Sequence, residues 1–392
     1  MKRNKPVKIK RYRRSFSGSG DRNNLLRRIL LWVLILAAIF GVGWLIAKPG
    51  LDLASSLWYS YKNRGESSSV SVPGDSSSVS QSTSEPTATP TPEATDNLSG
   101  NWAQVSISSV DTAEKATAFA EQLAQQGVRY AVLTLKDDRG YVYYNSQVSL
   151  ASSAISSTVV DAASIAKAFQ DAGVTPVAGI CAFKDTLAPY ADRSAAVKYG
   201  NQDITWLDSS AELGGKPWLN PNAASAQQYI ADLIAEVRDL GFETVLIQNL
   251  QFPEGNGLDL AGYGEMTLSR QELLAQLGRR YEAIEGVEVW FEVPAAAISG
   301  QSVESYGASP ASFGLQHVIV RMDSTSTTNE AGEAVTTAPA TDAAALTALI
   351  DPLTSGGSSA VALRAFGLSS DQLTAASQTA QQAGFDGIFI AP

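Results

Sequence analysis

The 392-residue sequence predicts an α/β protein whose main domain is a (β/α)8 TIM-type barrel, and three observations lead there. From Asn101 onward, short apolar runs alternate with amphipathic stretches of helical period; the runs number eight; and each is too apolar to leave a solvent face. Strands of that kind belong to a parallel sheet covered on both sides. Eight such units in roughly 290 residues fit a closed barrel better than an open doubly wound sheet. No G-x-G-x-x-G follows the first run, which argues against a dinucleotide-binding fold.

In chain order the predicted strands are 102–108, 130–136, 175–183, 244–249, 288–294, 317–323, 360–366 and 387–391. Helices are predicted between them at 112–126, 159–172, 223–240, 270–285, 341–354 and 370–383, with a weaker, glycine-broken one near 296–306. Ser269 with Glu272, Asp111 with Glu114 and Ser369 with Gln372 have capping-box spacing, so each marks a helix start. Gly127, Gly173, Gly241 and Gly384 stand where a left-handed residue ends a helix. Period-two alternation groups Gln248 with Thr244 and Leu246, and Glu292 with Glu288 and Trp290. Gln248 and Glu292 are therefore expected to face each other across adjoining strand mouths.

Upstream of the barrel the chain changes character three times. Residues 1–28 carry eleven Lys and Arg against Asp21 alone, a charge of +10; the whole chain is −10, so the remainder carries −20. Residues 29–47 are an unbroken apolar run of the length that crosses a bilayer as a helix. A cleaved signal peptide fits less well, because the run is too long and no small-residue cleavage site follows it cleanly. The basic head is then expected in the cytoplasm at a single-pass cell membrane anchor, with the bulk of the chain extracytoplasmic. Topology and anionic lipid account for that head, and no nucleic-acid partner is needed. Residues 48–65 form a juxtamembrane segment, and 66–98 are Ser/Thr/Pro-rich, a disordered linker that cannot bury enough apolar surface to order itself. The domain at 99–392 follows.

Cys181 is the lone cysteine and His317 the lone histidine. A disulfide framework, a zinc site of the usual kind and a Ser/His hydrolase therefore lack support, and Cys181 in its apolar run reads as a small buried hydrophobe. No metal or cofactor is indicated: Asp137 and Asp138 are hard oxygen ligands, but they lack a calcium-loop spacing.

Chemistry in such a barrel sits at the carboxyl ends of the strands. The second strand ends in Lys136, Asp137 and Asp138, the third in Lys184 and Asp185, and the fourth in the amides Gln248, Asn249 and Gln251. The fifth supplies Glu292, the sixth Arg321 and Asp323, and the seventh Arg364. The long loop 183–222 brings Trp206 and Trp218. Ring faces beside acids and amides suit sugars, whose C–H faces stack while their hydroxyls hydrogen-bond. Structural readings stand beside this one: the tryptophans pack the loop onto the barrel, "KDDRG" is a capped turn, and Arg321 and Arg364 pair with Asp323 or Glu292 inside the mouth.

At "RYAVLTLKDDRGYVYYNS", "VTPVAGICAFKDTLA", "WLNP", "GFETVLIQNLQFP" and "QQAGFDGIFIAP" the chain resembles a family of glycoside hydrolase-like barrels long listed as a domain of unknown function. The resemblance runs from about residue 101 to the end, and it implies an exported, often membrane-anchored bacterial protein that acts on or binds polysaccharide. Lys184, Asp185, Trp218 and Pro221 match the family's pattern, and Glu292 stands where an acid is expected. Two departures matter. Where the second strand of the family reads Asp-Val-Lys-Asp, this chain has Thr134, Leu135, Lys136 and Asp137; where the fourth reads Asp-Tyr-Val-Arg-Phe-Pro, it has Gln248, Asn249, Leu250, Gln251, Phe252 and Pro253. A hydroxyl and an amide thus replace acids, so the expectation is a glycan-binding barrel with impaired or lost catalysis. The alternatives are an active glycosidase using Glu292 with Asp323 or Asp137, and a structural interaction protein of the envelope.

Overall fold

Eight parallel strands close a barrel in the order in which they occur along the chain: β1 (Gly100–Val105), β2 (Val128–Lys136), β3 (Thr175–Cys181), β4 (Thr244–Gln248), β5 (Glu288–Pro294), β6 (His317–Asp323), β7 (Ala360–Phe366) and β8 (Gly387–Ile390). β8 returns to pair with β1, aligning Phe389 with Trp102. Around the barrel run α1 (Ala113–Gln125), α2 (Ala162–Asp171), α3 (Ala224–Asp239), α4 (Arg270–Glu282), α5 (Ala343–Ser355) and α6 (Ser370–Ala383). The structure is a computed structural model that describes residues 100–301, 303–323, 325–328 and 334–390. The predicted head, apolar span, juxtamembrane segment and linker, residues 1–98, lie outside the described residues. Among the described residues no helix is long and apolar enough to cross a membrane.

Local chemistry sets the helix ends. Ser269 with Glu272 and Ser369 with Gln372 form complete capping boxes. Asp111 does not: the α1 cap is Thr112, whose hydroxyl accepts from the Lys115 amide, while Asp111 instead pairs with the Lys115 ammonium at 2.6 Å. The expected helix near 296–306 shrinks to one turn, Ala295–Ile298, since Gly300 adopts φ +80°. Beyond β6 an antiparallel pair, Thr325–Thr328 with Ala334–Thr337, was not among the expected elements.

The barrel is filled, and its filling is the period-two pattern made solid. Each strand sends one residue inward to a common layer: Trp102, Val132, Val177, Leu246, Trp290, Ile319, Ala362 and Phe389. Trp102 sits among rings, stacked on Tyr130 at 4.4 Å and on Phe389 at 5.4 Å, with Trp290 edge-on at 4.9 Å. The opposite faces of the strands build a second, larger core against the helices. This plug leaves no pore, so whatever the strands present one layer higher becomes the floor of the mouth.

One strand breaks the alternation. In the β2–β3 ladder Thr134 aligns with Gly179 but Lys136 aligns with Ile180, so a bulge falls between them. A bulge re-aims the side chain that follows it. Lys136, expected at the mouth, is instead buried beside the α3 residue Tyr229, with its ammonium 2.9 Å from Asp185 and donating to the Cys181 carbonyl at 2.7 Å. Asp185 is fully buried as well, and its Oδ1 accepts from the amides of Leu187 and Ala188. Gly140 closes the pocket from the hairpin: at φ +94°, a Cβ there would lie 2.2 Å from Asp185 Oδ1. Lys136 and Asp185 therefore join the hairpin to the long loop and do not reach solvent.

Two outcomes follow from this packing. Asp185→Leu strands a buried ammonium and is expected to cost about 3–5 kcal/mol in urea unfolding, with Lys136→Met/Asp185→Leu recovering much of the loss; a single-variant cost under about 1 kcal/mol would show that the pair is dispensable. Cys181 is buried, and desolvation pushes its thiol up to about 12. It should resist iodoacetamide in the folded protein and react on unfolding, as followed by mass spectrometry; rapid native labelling would mean that the β3 mouth is open.

Candidate functional site

Two residues beyond the apolar layer, β1 to β7 carry Gln104, Thr134, Gly179, Gln248, Glu292, Arg321 and Arg364. This ring is polar because it caps the plug, and each of its groups must find a partner inside a closed wall. Glu292, on β5, is the hub. Arg364 Nη1 donates to its Oε2, Gln248 Nε2 donates to its Oε1 at 3.1 Å, and Arg321 Nη1 lies 3.8 Å from Oε1. The facing of Gln248 and Glu292 across β4 and β5 is the one expected from alternation.

The network continues round the mouth. Arg364 Nη2 donates to Gln104 Oε1 at 2.9 Å, and Gln104 Nε2 donates to Thr134 Oγ1 at 3.2 Å and to the Val132 carbonyl at 3.0 Å. The Arg364 guanidinium also lies over the rings of Phe389 and Phe366, at 4.8 and 4.9 Å. Those contacts hold a planar cation from both its edge and its face. Gly179, without a side chain, leaves the space above β3 to its neighbours.

Beside this ring a cleft of about 970 Å³ opens toward solvent. Gln104, Thr134, Gln248 and Arg364 form its inner wall; Val105 to Ser109, with Phe119 and Gln122 of α1, form one side; Asp137, Tyr143 and Thr158 form the other. Thr134 and Gln248, the two positions at which the resembled pattern carries acids, both line it. Asp137 is the one carboxylate in that lining. It is extensively engaged: Arg139 Nε donates to it at 2.9 Å, Tyr143 Oη at 3.0 Å, and the amides of Arg139 and Tyr141 at 3.0 and 2.9 Å. Burial first, and then the adjoining Asp137 carboxylate, raise the Tyr143 phenol above its ordinary value, so it stays protonated.

The remaining candidates fall into two groups. Trp206 and Trp218 are each only 2% exposed. Trp206 donates to the Gly257 carbonyl and Trp218 to Asp208, so both pack the long loop and present no ring face to a ligand. Gln251 is buried between Glu254 and the Tyr306 hydroxyl. Asn249 takes φ +52°, a left-handed conformation that asparagine tolerates, and donates to Cys181 Sγ. Lys136 and Asp185 form the buried pair described above. At the rim, Lys184 and Asp138 form an exposed pair at 3.3 Å, and Asp323 lies 3.8 Å from Arg321 Nε.

Gln104 and Phe119 were not singled out in the sequence, yet they line the cleft that Trp206 and Trp218 do not. For Gln104 the signal was available, since it stands two residues after Trp102, as Gln248 does after Leu246. Phe119 belongs to a helix whose periodicity marks it only as core-facing; that part of its ring borders the cleft follows from where α1 packs.

Residues 104–298 match the model of a family described as "Putative glycosyl hydrolase domain". The match begins in β1 and ends just beyond β5, so it includes Gln104, Thr134, Gln248 and Glu292 but neither arginine. No curated protein sequence matches the chain. Among solved structures, a hypothetical protein from Ruminiclostridium thermocellum ATCC 27405 is 20% identical over 48% of this chain and 96% of its own, with a TM-score of 0.43. The catalytic domain of a β-amylase from Paenibacillus polymyxa is 8% identical, covering 74% of this chain and 92% of its own, with a TM-score of 0.46. The glycoside hydrolase domain of PelA from Pseudomonas aeruginosa is 12% identical, covering 74% and 94%, with a TM-score of 0.39.

Proposed function

We propose that this chain is a membrane-tethered, extracytoplasmic glycoside hydrolase-like barrel that holds cell-wall or extracellular glycan without cleaving it. The observation that carries this reading is the commitment of Glu292. Its carboxylate is bound to Arg364 and Gln248 and has Arg321 beside it, while Thr134 and Gln248 offer the cleft a hydroxyl and an amide. Hydrolysis of a glycoside commonly uses two carboxylates, one to protonate the leaving oxygen and one to attack or to activate water. An amide cannot titrate, and the loss of such a group raises the barrier by about 4 kcal/mol, roughly a thousandfold in rate. It still donates and accepts hydrogen bonds, which is what a sugar hydroxyl requires. The tether rests on the apolar run at 29–47, the basic head before it and the Ser/Thr/Pro-rich linker after it.

One observation favours an active enzyme: Asp137 borders the cleft with Tyr143 beside it. Against a Glu292–Asp323 pair stands Arg321, which lies 3.8 Å from both carboxylates. An interaction platform of the envelope is the remaining alternative, and it predicts no glycan affinity at all.

The test uses the full chain, purified in mild detergent, on immobilised glycans and peptidoglycan, with mass spectrometry of the supernatant. Retention without released fragments is expected. Sugar fragments that disappear in Asp137→Asn or Glu292→Gln would establish a hydrolase, and absence of retention on every glycan would favour the platform. Glu292→Gln should also lower the unfolding midpoint, because it removes the negative charge between two arginines; an unchanged midpoint would contradict the structural role given to that carboxylate. For the tether, protease added to intact cells should degrade the barrel and spare the basic head, and protection of the barrel would reverse the topology.

A further inference from the structure

Resting on the glycan-binding reading, we infer that the cleft selects an uncharged oligosaccharide, with Phe119 as the surface on which an apolar sugar face lies. Both ions in the lining are already satisfied. Asp137 takes donors from Arg139, Tyr143 and two backbone amides, and Arg364 is bound to Glu292 and Gln104 and flanked by two rings. A carboxylate or ammonium on the ligand would leave water without gaining an unpaired counter-ion, and that penalty falls on charged sugars alone.

The rest of the lining has the opposite character. Gln122 and Gln248 keep donor and acceptor capacity for a hydroxyl, since Gln248 spends one amide hydrogen on Glu292 while Gln104 is held by Arg364, Thr134 and the Val132 carbonyl, and the serines at 106, 108 and 109 with Thr134 and Thr158 extend that surface. Ile107 and Phe119, both half-buried, supply an apolar strip along one side, with the buried Val105 behind them. Phe119 is half-buried: part of its ring packs on the core and part borders the cleft. Such a strip beside amides matches a pyranose, with C–H groups on its face and hydroxyls on its edge. At about 970 Å³ the space lies at the upper end of small-molecule sites, roughly 300–1,000 Å³, so it accommodates more than a single ring.

Binding of the full chain to four tetrasaccharides would test this: N-acetylglucosamine and glucose tetramers as uncharged probes, galacturonate as the anionic one and glucosamine as the cationic one. At least one uncharged tetramer is expected to bind about tenfold more tightly than both charged ones, a difference of about 1.4 kcal/mol. Phe119→Leu, which keeps the core contact and removes the ring, should weaken that binding about tenfold, and Phe119→Tyr should retain it; circular dichroism melts confirm that each variant folds. Charged tetramers binding as tightly as neutral ones would overturn the inference and leave the glycan reading standing. Unchanged affinity in Phe119→Leu would overturn the placement of the ligand. If no tetramer and no longer glycan binds, the reading beneath the inference fails with it.

Discussion

The barrel is closed over a filled interior, and this single constraint governs the rest of the molecule. Eight strands each contribute one side chain to a layer built around Trp102, and aromatic rings occupy the space that a pore would need. A closed sheet has no edge and no second inner face. The next side chain along each strand must therefore satisfy its polar atoms against its neighbours in the same ring or against the cleft. The network of Glu292, Arg364, Arg321, Gln248, Gln104 and Thr134 is the solution this sequence uses.

That solution bears on the chemistry at the mouth. A carboxylate between two guanidinium groups is well held in a partly desolvated wall. Removing one member exposes the cost of burying the others, which is characteristic of buried ion networks. The mouth is a polar floor whose groups are joined to one another by hydrogen bonds and ion pairs. In the proposed binding role such fixing is favourable, because amides held by their neighbours lose little freedom when a ligand arrives.

Much of the fold was legible in the primary structure, and the reasons are local. Apolar runs such as "TPVAGIC" and "EVWFEVP" read as buried strands, the glycines at 127, 173, 241 and 384 adopt positive φ as expected of helix ends, and alternation along β4 and β5 brought Gln248 opposite Glu292. The site was less legible. Lys136 stands at the end of a strand, and nothing in "TLKDD" announces the bulge that turns it toward Asp185 and Tyr229. Trp206 and Trp218 lie in a long polar loop, yet that loop folds over them and satisfies their indole N–H groups at Gly257 and Asp208. Phe119 was hidden for the opposite reason, since a core-facing position on α1 turned out to border a cleft.

The sequence by itself determined the order and kind of the barrel's elements, the replacement of two expected acids by Thr134 and Gln248, and the lack of a second cysteine or histidine for other chemistries. These follow from periodicity and residue type, which act over a few positions at a time. Only the tertiary structure decided which polar groups are buried against one another and which line the cleft. That Asp185 is half of a buried pair with Lys136, and that Glu292 is bound to Arg364, depends on contacts between residues 49 and 72 positions apart. Separations of that kind are closed by packing, and no local pattern records them.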